Sequence, residues 1–238
     1  ALVTGGSSGI GRGIARALAA AGAEVIVAAR GSDRVDETVE EIRMEGGLAA
    51  GIVADLSSRA GCHELADRAG DLDILVNSAG INIRPPLAEL DEQSWDATMA
   101  VNLDAPFILG QRLAPGMIER GYGRIISISS QQASRAFASS GAYGASKAAL
   151  EGLARSQAEA WSASGVTSNV LVPGFVLTRL NERLASDPDV VTALAARTFV
   201  GRNGRADDFA AAAIFLAGPG SAYVTGQAIA VDGGFSVH

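Results

Sequence analysis

The chain has 238 residues, 48% of them hydrophobic, enough to bury a full core within one large α/β domain spanning 1–238. A net charge of −7 provides no basic stripe for a phosphate backbone and argues against nucleic acid as a partner. No apolar run approaches the ~20 residues that span a bilayer, no basic-then-apolar leader opens the chain, and one cysteine, Cys62, excludes an internal disulfide. The expectation is a cytoplasmic protein without a membrane partner.

The predicted elements alternate along the whole length. Strands are expected at Leu2–Thr4, Glu24–Ala28, Ala50–Val53, Ile74–Val76, Arg124–Ser129, Ser168–Leu171 and Ala228–Val231. They are almost continuously apolar, as strands are when helices cover both faces of a parallel sheet. Between the first two lies a predicted helix, Ile10–Ala21, with Ile10, Ile14, Ala17, Leu18 and Ala21 on one face. A second starts near Ser32 and Asp33, turns Val35, Val39 and Ile42 inward, and stops at Gly46 and Gly47. Alternation of this kind implies right-handed crossovers and a Rossmann-like, doubly wound, mainly parallel seven-stranded sheet.

The turn after the first strand reads Thr4-Gly5-Gly6-Ser7-Ser8-Gly9-Ile10-Gly11. Gly5 permits the tight turn, Gly9 lets backbone approach a pyrophosphate, and Gly11 allows close helix–strand packing. The following helix start supplies unpaired N–H groups to phosphates, so Ser7, Ser8 and Ile10 join the candidate cofactor-binding residues. At the end of the second strand, the position that carries an acid in NAD sites is Ala29, followed by Arg30 and, nearby, Ser32. Arg30 against a 2′-phosphate, with Ser32 as a donor, favours NADP(H), with NAD(H) as the alternative.

Farther along, Ile125–Ser130 forms the fifth strand segment, and Tyr143 and Lys147 share one face at the start of a helical stretch running to Trp161. A phenol titrates near 10, so a cation beside it is needed to lower that value toward neutrality. Tyr143 is then a proton donor to a carbonyl or a base toward an alcohol, with Lys147 as that cation and Ser130 holding the substrate oxygen. Lys147 is the sole lysine among otherwise arginine cations, consistent with a task that a guanidinium performs poorly. Asn102, expected on the helix before that strand, is a candidate proton relay. Arg84, before Pro85 and Pro86, is placed to grip a substrate carboxylate, with Gln131, Gln132 and Arg135 adding polar contacts. The stretch 173–205 has no predicted strand and is expected to form a lid carrying Arg179, Arg183, Arg197 and Arg202. No metal site is expected.

The glycine turn and Tyr143-x-x-x-Lys147 together resemble the short-chain dehydrogenase/reductase family, over the whole chain. That resemblance implies a catalytic set of Asn102, Ser130, Tyr143 and Lys147. It also implies cofactor contacts from Asp55, Leu56, Asn77, Ala79, Gly80, Pro173, Gly174, Val176 and Thr178, beside Tyr143 and Lys147 themselves. Ser78 departs from the family's second Asn in Asn-Asn-Ala-Gly, and Ser8 stands where many NADP-using members carry a basic residue. The run around Arg84 and the glutamines after Ser130 are similar to gluconate 5-dehydrogenases and related sugar-acid dehydrogenases. This implies a small carbonyl or alcohol substrate such as 5-keto-gluconate, bound by Arg84, Ser130, Gln132 and Tyr143. A 3-oxoacyl-thioester reductase and a non-catalytic NADP(H)-binding protein are the alternatives. A homotetramer is the family's common state, and Leu150, Leu153, Ala154, Ala158 and Trp161 are expected to offer it an apolar helix face.

Overall fold

A computed structural model describes residues 1–182 and 186–238, so Arg183 lies outside the described residues. Seven strands form one sheet in the order β3-β2-β1-β4-β5-β6-β7, every neighbouring pair parallel. They are β1 (Leu2–Thr4), β2 (Glu24–Ala29), β3 (Leu48–Val53), β4 (Ile74–Asn77), β5 (Gly123–Ile128), β6 (Val166–Pro173) and β7 (Ala228–Val231). The order reverses between β1 and β4, which opens a crevice at the strands' carboxyl ends, where such sheets bind ligands.

Successive side chains on a strand point to opposite faces, and the core divides accordingly. Val3, Val76 and Ile126 pack with Ile14, Leu18 and Phe209 on one side. Their neighbours Leu2, Leu75 and Ile125 pack with Leu65, Leu109 and Met117 on the other. Burial on both faces explains why these strands lack polar alternation.

The covering helices are α1 (Gly9–Ala20), α2 (Ser32–Met44), α3 (Arg59–Ala69), α4 (Glu92–Met99), α5 (Ala105–Glu119), α6 (Gly141–Trp161), α7 (Pro188–Ala196) and α8 (Ala210–Ala217). Val35, Val39 and Ile42 of α2 are buried as expected. On α1, Ile14 and Leu18 are buried, but Ala21 is exposed and Gly11, Ala15 and Ala19 take the inner face. The stripe turns because α1 meets the Ala206–Phe209 turn and α8 as well as the sheet. The apolar face expected to be spare on α6 is the inward one: Leu150, Ala154 and Ala158 are buried, and this helix packs on β6. No helix among the described residues is long and apolar enough to cross a membrane.

Two boundaries bear on the site. β5 ends at Ile128, so Ser129 and Ser130 lie beyond the strand, with Ser130 opening a short turn at Gln131–Ala133. The stretch after β6 holds a turn at Arg179–Asn181, then α7, and returns to the sheet rim by a parallel bridge between Val176 and Gly204.

Candidate active site

The glycine turn crosses the crevice on bare backbone. Gly9 has φ +51°, and a side chain there would meet Thr178 Cγ2 at 3.0 Å. A Cβ on Gly11 would stand 2.4 Å from the Gly5 carbonyl oxygen, so the helix packs this closely on the turn only with glycine. Ser8, the residue before α1, makes no side-chain bond to the first turn of its helix. The corresponding Ser58, Asp91 and Asp187 each cap theirs. The first N–H groups of α1 thus face the groove without a local acceptor, and no acidic side chain occupies that turn. The residues fit a pyrophosphate.

The groove is a cavity of about 420 Å³. Gly5, Ser8, Gly9, Ile10 and Gly11 line one end, with Ala79 and Gly80 beside them and Pro173, Gly174, Val176 and Thr178 above. A second cavity, about 150 Å³, continues from Ser7 and Ser8 toward Arg30, Asp55 and Leu56. The Thr4 hydroxyl accepts from Ser78 N at 3.1 Å and Ala79 N at 3.2 Å, tying β1 to the chain leaving β4. These two bonds hold the segment in which Ser78 replaces Asn. Asn77 lies beneath the groove, buried, with its Nδ2 on Ser127 Oγ at 3.3 Å.

At the other end of the large cavity stand Ser130, Tyr143 and Lys147, with Arg84 and Gln132. The first two turns of α6 project Tyr143 and Lys147 from one face, and the loop after β5 brings Ser130 to them. Lys147 Nζ sits 5.7 Å from the Tyr143 ring centre and donates to the Ile128 carbonyl at 2.7 Å. Burial pulls the Lys147 ammonium down to about 8. For Tyr143, burial pushes the phenol above its ordinary value, and a Ser130 hydrogen bond and the Arg84 charge only partly oppose it. The expectation of a lowered phenol is therefore corrected within the protein alone. Lys147 is spent on a carbonyl and is itself easily neutralised, so desolvation wins.

Asn102 falls in a π-turn, Ala100–Asp104, wedged between α4 and α5 rather than on a regular helix. Its Oδ1 accepts from Ile81 N at 2.9 Å, and Nδ2 donates to Ile81 O and to Ser146 Oγ, each at 3.0 Å. Both amide hydrogens are thus committed. A Cβ on Gly80 would stand 3.4 Å from Asn102 Oδ1 and 3.7 Å from Lys147 Nζ, so these groups converge on one point beside the cavity.

With this geometry, the matches to known proteins follow. A family model described as enoyl-(acyl carrier protein) reductase matches residues 5–236. The gluconate 5-dehydrogenase of Gluconobacter oxydans is 38% identical, over 100% of this chain and 94% of the relative. The chain belongs to the short-chain dehydrogenase/reductase family. It is an enzyme of that family, an oxidoreductase. A rhamnolipids-biosynthesis 3-oxoacyl-[acyl-carrier-protein] reductase of Pseudomonas aeruginosa is 39% identical, over 99% of this chain and 95% of its own. The crystal structure of a gluconate 5-dehydrogenase from Burkholderia cenocepacia J2315 in complex with NADP and tartrate superposes with a TM-score of 0.92. It is 39% identical and covers 100% of this chain and 94% of that one.

Several residues of this short-chain dehydrogenase/reductase sit elsewhere than expected. Ser32 donates to Asp33 Oδ1 at 3.0 Å and does not line the second cavity; a serine one residue before an aspartate on an exposed turn finds that acceptor first. Arg135 donates to the Ser236 carbonyl and does not line the cavity, whereas Gln131 lines it but commits its Nε2 to Asp232. Of the arginines on the 173–205 stretch, Arg202 grips Asp208 through two bonds, 2.7 and 2.8 Å, and Arg197 stacks on Phe235 at 4.1 Å, the surface pairing expected of them. Among residues missed from sequence, Arg34 lines the second cavity with Arg30. A second arginine in the first turn after a strand-end arginine was an available signal. Phe235, Leu180, Asn181 and Leu194 also line the large cavity, and no local pattern marks them.

Proposed function

We propose that this oxidoreductase uses NADP(H) to interconvert a carbonyl and a secondary alcohol on a small carboxylate-bearing substrate, with a keto sugar acid such as 5-keto-gluconate as first choice. The observation that carries the reading is the meeting of Ser130, Tyr143 and Lys147 in one cavity with the uncapped, glycine-lined start of α1. The glycine turn, Asp55, Leu56, Asn77, Ala79, Gly80 and the 173–178 segment would hold the dinucleotide. Arg30 and Arg34 would face its 2′-phosphate, with no carboxylate at Ala29 to compete. NADP in the Burkholderia relative supports that choice.

When bound, the nicotinamide supplies or accepts the hydride at the substrate carbon. Ser130 holds the substrate oxygen beside the Tyr143 phenol. A phenol raised by burial keeps its proton at neutral pH and can deliver it to that oxygen during reduction. Lys147, still largely protonated below about 8, stabilises the phenolate left behind. Asn102 pins the Ile81 backbone and so the wall next to Lys147. Arg84, anchored on the Ala138 carbonyl at the mouth of the same cavity, would bind the carboxylate.

The test is NADPH and NADH oxidation with 5-keto-gluconate beside an acetoacetyl thioester. The expected result is preferred NADPH use with the sugar acid, lost by about 10²-fold or more in Tyr143→Phe and weakened mainly through KM in Arg84→Ala. Reduction of the thioester alone would move the substrate to the 3-oxoacyl class, for which the Pseudomonas relative speaks. Unchanged NADPH binding with no turnover of either would favour a binding protein.

The proposal further takes 1–238 as one catalytic domain with 173–205 as its lid, working in the cytoplasm. The free, buried Cys62, its thiol pushed up to about 11 by burial, needs no oxidising compartment. It also takes the enzyme as a dihedral homotetramer. Ile214 and Phe215 stand exposed on α8, and β7 is a half-exposed edge strand, apolar surface that a second copy would cover. Light scattering at micromolar concentration should give four times the chain mass, and a monomer would rule this out.

A further inference from the structure

Ser130 sits between two anchored neighbours. Before it, Ser129 Oγ donates to Glu151 Oε1 on α6 at 2.8 Å. After it, Gln131 is buried, and its Nε2 donates to Asp232 Oδ2 at 3.1 Å, about a hundred residues away in the chain. Asp232 follows β7 and is itself held firmly. Its Oδ1 accepts from Gly234 N at 3.0 Å and its Oδ2 from Ser236 N at 2.8 Å, closing a turn.

That turn touches the other walls of the cavity. A Cβ on Gly174 would stand 2.9 Å from Asp232 Cα, so the segment after β6 lies directly against it. Phe199 N and Val200 N, past the end of α7, donate to the Gly233 carbonyl. Phe235, buried and lining the cavity, carries the Arg197 guanidinium on its ring, and Arg135 donates to the Ser236 carbonyl. Arg135 and Arg197 are thus the charged side chains that meet this turn from the catalytic loop and the lid. The turn that the Asp232 carboxylate closes, distant in sequence, therefore links the loop bearing Ser130 to both segments that border the cavity.

We propose that Asp232, acting through the Gln131 amide, is a positioning residue that fixes Ser130 relative to Tyr143. This rests on the reading of Ser130 and Tyr143 as the pair that handles the substrate oxygen. Ser130 Oγ accepts from Gln132 N at 3.2 Å, so its rotamer depends on the short turn that begins at Gln131. Without the Asp232 bond the turn can swing about its Ser129 anchor. A displacement near 1 Å at a reacting group costs on the order of 10²-fold in rate.

The experiment uses the full chain with NADPH and whichever carbonyl substrate it turns over. Gln131→Met keeps the volume and removes the donor. The expected result is a fall of about 10-fold in kcat, with the NADPH Kd and Tm unchanged. Gln131→Glu adds a readout that a merely structural role would not move. Ionised, the new carboxylate faces Asp232 and repels it; protonated, it can donate to Asp232 as the amide does. Its kcat relative to the parent enzyme should therefore recover as pH falls through the titration of the new group.

A Gln131→Met enzyme within twofold of the parent, or a Gln131→Glu enzyme that tracks the parent at every pH, would overturn the proposal. Ser130→Ala separates the two levels. If Ser130→Ala is inactive while both Gln131 variants are normal, Asp232 does not position Ser130, although the catalytic reading stands. If Ser130→Ala is fully active, the catalytic reading itself fails.

Discussion

The two ends of β5 each bury a cation, and the contrast between them separates architecture from chemistry. At the amino end Arg124 is 3% exposed, and its guanidinium reaches the carbonyls of Gly218 at 3.2 Å, Gly123 at 2.8 Å and Gly165 at 3.1 Å. Its flat face lies 4.2 Å from the Tyr122 ring centre, and Tyr122 Oη donates to the Ala217 carbonyl. At the carboxyl end Lys147 is equally buried, yet among the described residues a single carbonyl, that of Ile128, receives its ammonium. A guanidinium spreads its charge over five donors and keeps its proton, so several carbonyls can solvate it in place of water. An ammonium with one partner is left poorly solvated, and its proton becomes easy to lose. The same strand thus carries a completed polar joint at one end and an unfinished one facing the cavity at the other.

The largest effect expected from breaking this contrast is on stability at the amino end. Arg124→Leu would take a charged donor from three carbonyls at once and remove the cation from the Tyr122 ring, although Gly165 keeps its bond from Gly123 N and Gly218 its bond from Ser221 Oγ. The cost is on the order of 3 kcal/mol. A urea midpoint shifted accordingly, with kcat of the folded enzyme within twofold of the parent, would confirm that Arg124 is architecture. A comparable loss of kcat at unchanged stability would erase the distinction between the two ends.

The two ends also differ in how far they were legible in the sequence. The catalytic end announces itself through local patterns. Tyr143 and Lys147 share a helix face by spacing alone, and Gly9 and Gly11 sit where a side chain would collide, so the residue types follow from short-range geometry. Strand positions were equally readable, because burial on both faces leaves continuous apolar runs such as Ile125 and Ile126. Illegible parts depend on contacts between distant segments. Asp232 reads as the end of a strand, and only its pairing with Gln131 gives it a place in the site. Arg135 looked like a substrate contact because it follows Ser130, but its guanidinium donates to the Ser236 carbonyl, about a hundred residues on. The inward face of α6 looked spare because periodicity counts apolar residues without saying which neighbour covers them; β6 does.

The smaller effect is at the carboxyl end, and its sign is opposite. Lys147 titrates at about 8 in the folded chain, below its ordinary value of 10.5. Between those two values the unfolded chain holds the proton that the folded chain has released, so folding becomes more favourable as pH rises through that window. Below about 8 both states are charged, and the folded state carries the whole cost of burying the ammonium. Lys147→Met removes that cost together with the bond to Ile128, and should stabilise the fold by about 1–2 kcal/mol at pH 7. Below pH 10 Tyr143 keeps its proton in the folded and unfolded chains alike, so it does not enter the comparison there. The advantage of Lys147→Met should fade as pH rises from about 8 toward 10.5, which denaturant unfolding at three pH values measures directly. An advantage independent of pH would mean that methionine gains by packing. No advantage at pH 7 would mean that the Ile128 carbonyl solvates the ammonium well, and that both ends of β5 are finished joints.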